Sequence, residues 1–183
     1  LRFDTTTPAV SGYWTSQVIV TAPYALPPIG STLSLHGAGI TTSGAPGADP
    51  RYLISVGMGS QLHFYNQASI DGAHVAIGFN GTYSGFSGSV VFHDQTSAAN
   101  TSISMASVGG GAITFLDQST AATASLRADN LTFADQSSAG SAQIYTSAYG
   151  ETISFKDQAD AANATINLTR YGGVIFSDQS TAG

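Results

Sequence analysis

Carboxylate side chains recur at one fixed place in this 183-residue chain, two residues after a phenylalanine and directly before a glutamine. The tetrapeptide Phe-x-Asp-Gln occurs five times, and its phenylalanines are separated by 23, 18, 22 and 21 residues. A sixth, imperfect copy has Asn66 at the aspartate position. Side chains of this type at a regular spacing could bind hard cations, or they could accept backbone N–H groups. The aspartate column is Asp94, Asp117, Asp135, Asp157 and Asp178.

Stacked carboxylates about 5 Å apart repel one another, so each needs a compensating partner. We favour a turn in which each carboxylate accepts N–H groups at the corner after a strand, with the adjacent glutamines stacked along the same axis. The alternative is calcium held between successive coils by the aspartate column. Each coil supplies only one carboxylate, and the Gly-Gly-x-Gly-x-Asp calcium motif is missing from the sequence. We therefore predict no cofactor.

Two short alternating stretches in every copy predict the strands that position these aspartates. If the phenylalanine is position 0, position −2 is aliphatic in all five copies, so both side chains face one side of a strand. Position 9 is small and position 11 aliphatic in the first four copies, as in Ala124 and Leu126, and this alternation predicts a second strand, while alanine recurs at position 6 in all five. Glycines on the return path, such as Gly111 and Gly173, suit bends where backbone approaches backbone.

A period near 20 residues without helical periodicity predicts an all-β fold, a single parallel β-helix or β-solenoid. Equal side chains then stack in columns, because neighbouring coils lie about 4.7–4.9 Å apart. We expect about eight coils of 18–32 residues, and hence a rod roughly 34 Å long. Residues 62–183 are expected to form the regular repeat coils, and residues 1–61 irregular N-terminal coils with long loops.

The irregular part follows the pattern less closely. Residues 1–3 and 33–35 show the apolar-x-apolar strand without Asp-Gln, and they account for two of the eight expected coils. We interpret residues 40–50 and 78–88 as inserted loops, and residues 11–28 as a longer first coil. Because the chain ends within a coil, we expect further coils or another molecule to cover that end.

The composition narrows the class of protein. Only 9% of the residues are charged, well below the usual quarter or so, so the surface consists of Ser, Thr, Asn, Gln and Gly, as in exported repetitive proteins. The net charge of −6 argues against binding to nucleic acids and anionic membranes. No stretch is long and apolar enough to predict direct insertion into a membrane. No cysteine is present, which excludes disulfides and thiolate chemistry.

The unit Phe-x-Asp-Gln-Ser-Thr-Ala-Gly, continued in other copies by Asn-Ala-Thr-Ile and Gly-Gly-x-Ile-x-Phe, resembles the repeats of large bacterial surface proteins. The resemblance is to autotransporter passenger regions and related adhesin-like proteins, and it covers residues 62–183 well. It implies a right-handed parallel β-helix, located outside the cell as a secreted or outer-membrane-attached protein. The family includes adhesins, enzymes and inert stalks, so the resemblance says more about architecture than about activity.

The remaining candidate residues are better explained as ordinary surface residues than as metal, catalytic or ice-binding sites. His63, His74 and His93 occupy outward positions, and no histidine pair has zinc-ligand spacing, so we expect surface histidines. Arg127 and Arg170 stand in coils two apart and at different positions, which argues against a polysaccharide lyase or hydrolase site. Mixed serine, alanine and aspartate at positions 4 and 5 argue against ice binding.

Exposed aromatic side chains remain candidates for sugar binding. Tyr145, Tyr149 and Tyr171 lie outside the predicted core columns, and Tyr83 and Phe86 lie in the predicted loop 78–88. We expect a non-enzymatic structural or adhesive segment of a secreted or cell-surface bacterial protein: a stalk, an adhesin or a fibre subunit. The alternative is a polysaccharide-binding or polysaccharide-cleaving β-helix protein. Possible partners are further copies of the chain, associated end to end or laterally into fibres, and a surface glycan or host-matrix ligand.

Overall fold

A computed structural model of the chain describes residues 2–4, 14–20, 32–43, 51–57, 59–70, 75–80, 88–105, 110–146, 151–169 and 171–183. All regular secondary structure in these residues is β-strand. The strands in chain order are β1 (Arg2–Asp4), β2 (Trp14–Val20), β3 (Thr32–Leu35), β4 (Gly39–Ser43), β5 (Arg51–Gly57), β6 (Gln61–Phe64), β7 (Ser69–Ile70), β8 (Val75–Asn80), β9 (Ser89–Phe92), β10 (Ser102–Ser104), β11 (Ala112–Phe115), β12 (Ser125–Arg127), β13 (Asn130–Phe133), β14 (Gln143–Tyr145), β15 (Thr152–Phe155), β16 (Thr165–Asn167) and β17 (Gly173–Phe176).

These strands form three parallel sheets. The first sheet has the order β17-β15-β13-β11-β9-β6-β3, the second β16-β14-β12-β10-β8-β5-β2, and the third β1-β4-β7. Single parallel bridges continue the third sheet along position 5, from Ser69 through Ser97, Thr120, Ser138 and Asp160 to Thr181. The chain visits the sheets in turn and pairs each strand with its equivalent one coil away. The predicted parallel β-solenoid is therefore confirmed.

The register places equal side chains directly above one another. Phe64, Phe92, Phe115, Phe133, Phe155 and Phe176 are successive partners in the first sheet. Their rings stack with centroids 4.6–4.9 Å apart and interplanar angles of 5–9°. The predicted alanine and aliphatic columns are also inside the solenoid: Ala98, Ala121, Ala139 and Ala161 at position 6, Ala124 and Ala142 at position 9, and Ile103, Leu126 and Ile144 at position 11 are buried.

The expected number of eight coils is wrong. The described residues form about four complete, regular coils, which begin at Ser89, Ala112, Asn130 and Thr152. The irregular coils before them supply further strands, so that the first and second sheets each contain seven. Residues 2–4 do not start the first sheet, because β1 pairs with β4 in the third. An apolar-x-apolar triplet fits the inward pattern of any sheet, and without the Asp-Gln corner the triplet does not determine which one.

Two predicted loops are partly strand. Residues 40–43 belong to β4, and residues 78–80 belong to β8, while residues 44–50 and 81–87 lie outside the described part of the chain. Residues 14–20 of the predicted irregular coil form β2, which pairs with β5 despite a register shift between Trp14 and Ser16. The remainder of that predicted coil, residues 11–13 and 21–28, also lies outside the described residues.

Position 4, which we expected beside position 5 on a possible ice-binding face, points inward. Thr96, Ser119 and Ser137 are fully buried there. The Thr96 and Ser119 hydroxyls donate 2.6 Å hydrogen bonds to the carbonyls of His93 and Leu116, three residues earlier. The Ser137 hydroxyl donates to the Phe115 carbonyl of the preceding coil. These hydroxyls satisfy strand-end carbonyls inside the corner and are not available to a surface ligand.

Candidate functional site

The aspartate column lies at the corner that follows the first sheet. All five aspartates and Asn66 have positive φ angles, between 53° and 63°. Asp and Asn are enriched among the non-glycine residues of this left-handed region, because their short polar side chains can form local hydrogen bonds. The sharp corner therefore selects the residue type that the sequence repeats.

The carboxylates of the column bind backbone N–H groups, as predicted, but the N–H groups belong to the neighbouring coil. The Asp94 carboxylate accepts the Asn66 N–H at 2.7 Å, and the Asp117 carboxylate accepts the Asp94 N–H at 2.9 Å. The same bond recurs from Asp117 to Asp135, from Asp135 to Asp157 and from Asp157 to Asp178, at 3.1–3.3 Å. Each negative charge thus receives an N–H dipole from the coil before it.

The glutamines beside the aspartates form a second ladder. Side-chain amides of Gln67, Gln95 and Gln118 donate to the side-chain oxygens of Gln95, Gln118 and Gln136, at 3.3–3.4 Å. Together with Gly37 and Asn66, the aspartates and glutamines of these coils line an open groove of about 780 Å³. The predicted stacking of glutamine amides is confirmed along this part of the column.

Asp117 is suited to a test of what its carboxylate acceptor and its tolerance of positive φ together contribute to stability. Replacing it with alanine removes the acceptor for the Asp94 N–H. It also leaves a residue that cannot form the local side-chain hydrogen bonds by which aspartate tolerates a φ of 55°. We expect Asp117→Ala to lower the free energy of unfolding by about 1–2 kcal/mol. Asp117→Asn retains an acceptor oxygen and tolerance of this φ, so its loss should be less than half as large. Urea unfolding of both variants measures this, and equal losses would contradict it.

Binding of calcium by the aspartate column would require several ligand side chains grouped around one ion. Within the described residues, no group of three or more His, Asp or Glu side chains is arranged to hold a metal ion. We expect EDTA to leave the melting temperature unchanged, because backbone N–H groups already compensate the carboxylates. Differential scanning calorimetry with and without chelator tests this, and a drop of several degrees that added calcium restores would favour the metal.

Three histidines and a tyrosine lie close together on the outer face of the first sheet: His36, His63, His93 and Tyr65. His63 Nδ1 lies 3.0 Å from His93 Nε2 and 3.2 Å from the Tyr65 hydroxyl. His63 Nε2 lies 3.2 Å from Gln61 Oε1, an acceptor, which fits the tautomer with the proton on Nε2 and with Nδ1 as the acceptor. Tyr65 stacks between His36 and His93, with centroid distances of 4.9 and 4.4 Å.

The outward direction that we predicted for His63 and His93 is correct, but their pairing was missed. Both are half-buried and hydrogen-bonded to each other. The signal is present in the sequence, since positions −1 and +1 of adjacent coils flank the same phenylalanine column. His74 lies outside the described residues.

Burial, followed by the charge of His93, lowers the pKa of His63 below its ordinary value of 6.5. The unfolded chain then binds more protons than the folded one just below pH 6.5, so stability falls as the pH falls through that range. We expect the melting temperature to drop more between pH 7.5 and 5.5 in the parent protein than in His63→Gln. The other histidines are common to both proteins and serve as the internal control. Identical drops would show that His63 does not contribute.

The outward face of the second sheet forms a third surface. Tyr145 is 42% exposed, as predicted for a residue outside the core columns. It lines a groove of about 390 Å³ together with Arg127, Thr146 and serines of β10 and β12. Tyr171 is also exposed, whereas Tyr83, Phe86, Tyr149 and Arg170 lie outside the described residues. Arg127 is separated from the aspartate column, because the two lie on different sides of the coil.

Comparison with known proteins gives no relative. No family model, no curated protein and no solved structure matches the chain.

The surfaces must therefore be interpreted from their own chemistry. The corner groove is polar and self-satisfied, the histidine cluster is bonded internally, and the second-sheet face presents an aromatic ring beside a cation. The described residues contain no helix of the length and hydrophobicity needed to cross a membrane.

Proposed function

We propose that this chain is a structural, contact-making segment of a secreted or cell-surface protein, in which the stacked coils act as a stiff spacer. The observation that supports the proposal most directly is the unbroken register of the phenylalanine column across six coils. Backbone ladders on three sides, reinforced by aspartate and glutamine ladders at one corner, resist bending and leave few backbone groups open to proteases. The resemblance of the repeats to autotransporter passengers and adhesins agrees with this role.

The role that we propose is non-catalytic. Acid–base cleavage of a polysaccharide requires an acid and a base that converge on one substrate. Among the described residues, the aspartates of the column accept backbone N–H groups, and Arg127 lies on another face. Incubation with polygalacturonate should release no unsaturated products, and their appearance would favour the lyase alternative.

Location is tested on cells of the natural source. An antibody raised against the purified chain should label intact cells, or the culture medium, as strongly as permeabilised cells. Labelling that appears only after permeabilisation would contradict a surface role. Negative-stain electron microscopy of the purified protein separates the two structural forms, since a stalk gives single rods and a fibre subunit gives filaments.

A further inference from the structure

The outward face of the second sheet is a regular polar array. One column consists of Ser104, Arg127, Tyr145 and Asn167, and the neighbouring column of Ser102, Ser125, Gln143 and Thr165. All eight residues are exposed. Successive members of a column lie about 4.7–4.9 Å apart, and the two columns are separated by two residues along each strand. The array therefore presents hydroxyls and amides at a fixed pitch over four coils.

Arg127 and Tyr145 give this array its chemical character. They are direct partners in adjacent coils, and both line the 390 Å³ groove. The eight exposed positions include one cation and no carboxylate, although the whole chain has a net charge of −6. A guanidinium can bind a carboxylate through two parallel hydrogen bonds, and a tyrosine offers an apolar ring face with a polar tip.

This chemistry matches an acidic sugar better than a protein or a nucleic acid. Protein interfaces need a buried apolar centre, and the array has only one aromatic ring among serine, threonine, glutamine and asparagine. Nucleic acids need several cations in a row to neutralise consecutive phosphates, whereas this face has one cation, which matches a single carboxylate. A uronic acid residue presents an apolar C–H face, several hydroxyls and one carboxylate, which are the partners that a tyrosine, an amide array and an arginine require.

We propose that this face binds an acidic polysaccharide, with a uronic acid ring on Tyr145, its carboxylate on Arg127, and its hydroxyls on the flanking amides and hydroxyls. The inference rests on the proposed contact-making role and names the ligand class of that role. The strands that carry Arg127 and Tyr145 are paired with a neighbour on both sides, so little ordering accompanies binding. The shallow groove admits an extended chain that crosses several coils.

Isothermal titration calorimetry with polygalacturonate, and with neutral dextran as the reference polymer, tests the site. The parent protein should bind polygalacturonate and not dextran. Tyr145→Ser should weaken binding about tenfold, because it removes the aromatic ring at the centre of the contact. Arg127→Gln should remove the preference for the acidic polymer, and Arg127→Lys should restore only part of it, because lysine lacks the planar fork.

Tyr171→Ser is the matched control, because Tyr171, which the sequence offered as a sugar-binding candidate beside Tyr145, is 73% exposed but lies outside the array and its groove. It should bind as the parent does, and the melting temperatures of all variants should agree. Absence of binding by the parent, or equal weakening by Tyr145→Ser and Tyr171→Ser, would overturn the site. Cell-surface labelling is independent of both variants, so a failure of the glycan site is distinguishable from a failure of the surface role.

Discussion

Replacing Phe115 with alanine is expected to lower the free energy of unfolding by about 3–5 kcal/mol. Phe115 is fully buried, and its ring stacks on Phe92 at 4.6 Å and on Phe133 at 4.8 Å. Truncation removes apolar burial and leaves a cavity between two rings. The backbone ladder on both sides fixes the coil spacing, so the neighbouring coils cannot collapse into that space. Guanidinium unfolding followed by circular dichroism measures the loss.

Phe176→Ala is the matched control for this substitution. Phe176 belongs to the same column, but it is 40% exposed and stacks on one described ring, that of Phe155. Its truncation should cost less than half as much. If Phe115→Ala cost no more than Phe176→Ala, stacking of coil on coil would not be the main source of stability.

The core columns could be predicted because the repeat makes the inward positions visible. Phe115, Ala121 and Leu126 stand at fixed offsets in every copy, and period-two alternation identifies which side chains share a face. The structure buries all three. The repeated Asp-Gln pair likewise located the corner, because a constant polar pair after a strand indicates a conserved turn geometry within the chain.

The backbone conformation at the corners explains why the inward direction of position 4 could not be predicted from the sequence. Each regular coil has a second residue with positive φ at position 7, such as Ala99 (49°) and Ala122 (52°), where alanine gives no turn signal. These two left-handed residues rotate the chain between them, which turns the hydroxyls at position 4 inward. Alternation alone cannot show such a rotation, so the inward Ser119 was missed. Its two hydrogen bonds are to backbone carbonyls, which carry no sequence signal.

The candidate sites also contain residues that could be predicted from the sequence and contacts that could not. Tyr145 was recognisable as an exposed aromatic, because it breaks the core pattern. Its partnership with Arg127 follows from the pairing of β14 with β12, and both residues stand at position 12 counted from their phenylalanines, so the repeat contained this signal as well. The contact between His63 and His93 spans 30 residues through an irregular coil. Contacts between equal positions of adjacent coils are therefore predictable from the repeat, whereas contacts between different positions, such as −1 and +1, are harder to predict.

Gly111→Ala is expected to lower the free energy of unfolding by at least about 3 kcal/mol. An added Cβ would overlap the Met105 carbonyl oxygen and lie 2.6 Å from the Met105 carbonyl carbon. Backbone atoms cannot rotate away as a flexible side chain can. Gly111 is also fixed in place, because its N–H donates to the Asp129 carboxylate at 2.9 Å and its carbonyl accepts the Asn130 N–H at 3.2 Å. Relief of the clash would therefore break hydrogen bonds between coils.

Gly173→Ala provides the comparison, because Gly173 also lies at the start of a strand of the first sheet, as the first residue of β17. An added Cβ there meets nothing within 4 Å, and the backbone does not have a positive φ. Alanine also reduces the conformational entropy of the unfolded chain, so this variant should be as stable as the parent or slightly more stable. Thermal unfolding of the two variants should therefore give opposite shifts. Equal shifts would mean that the close approach of the Gly111 and Met105 backbones does not constrain the connection between β10 and β11.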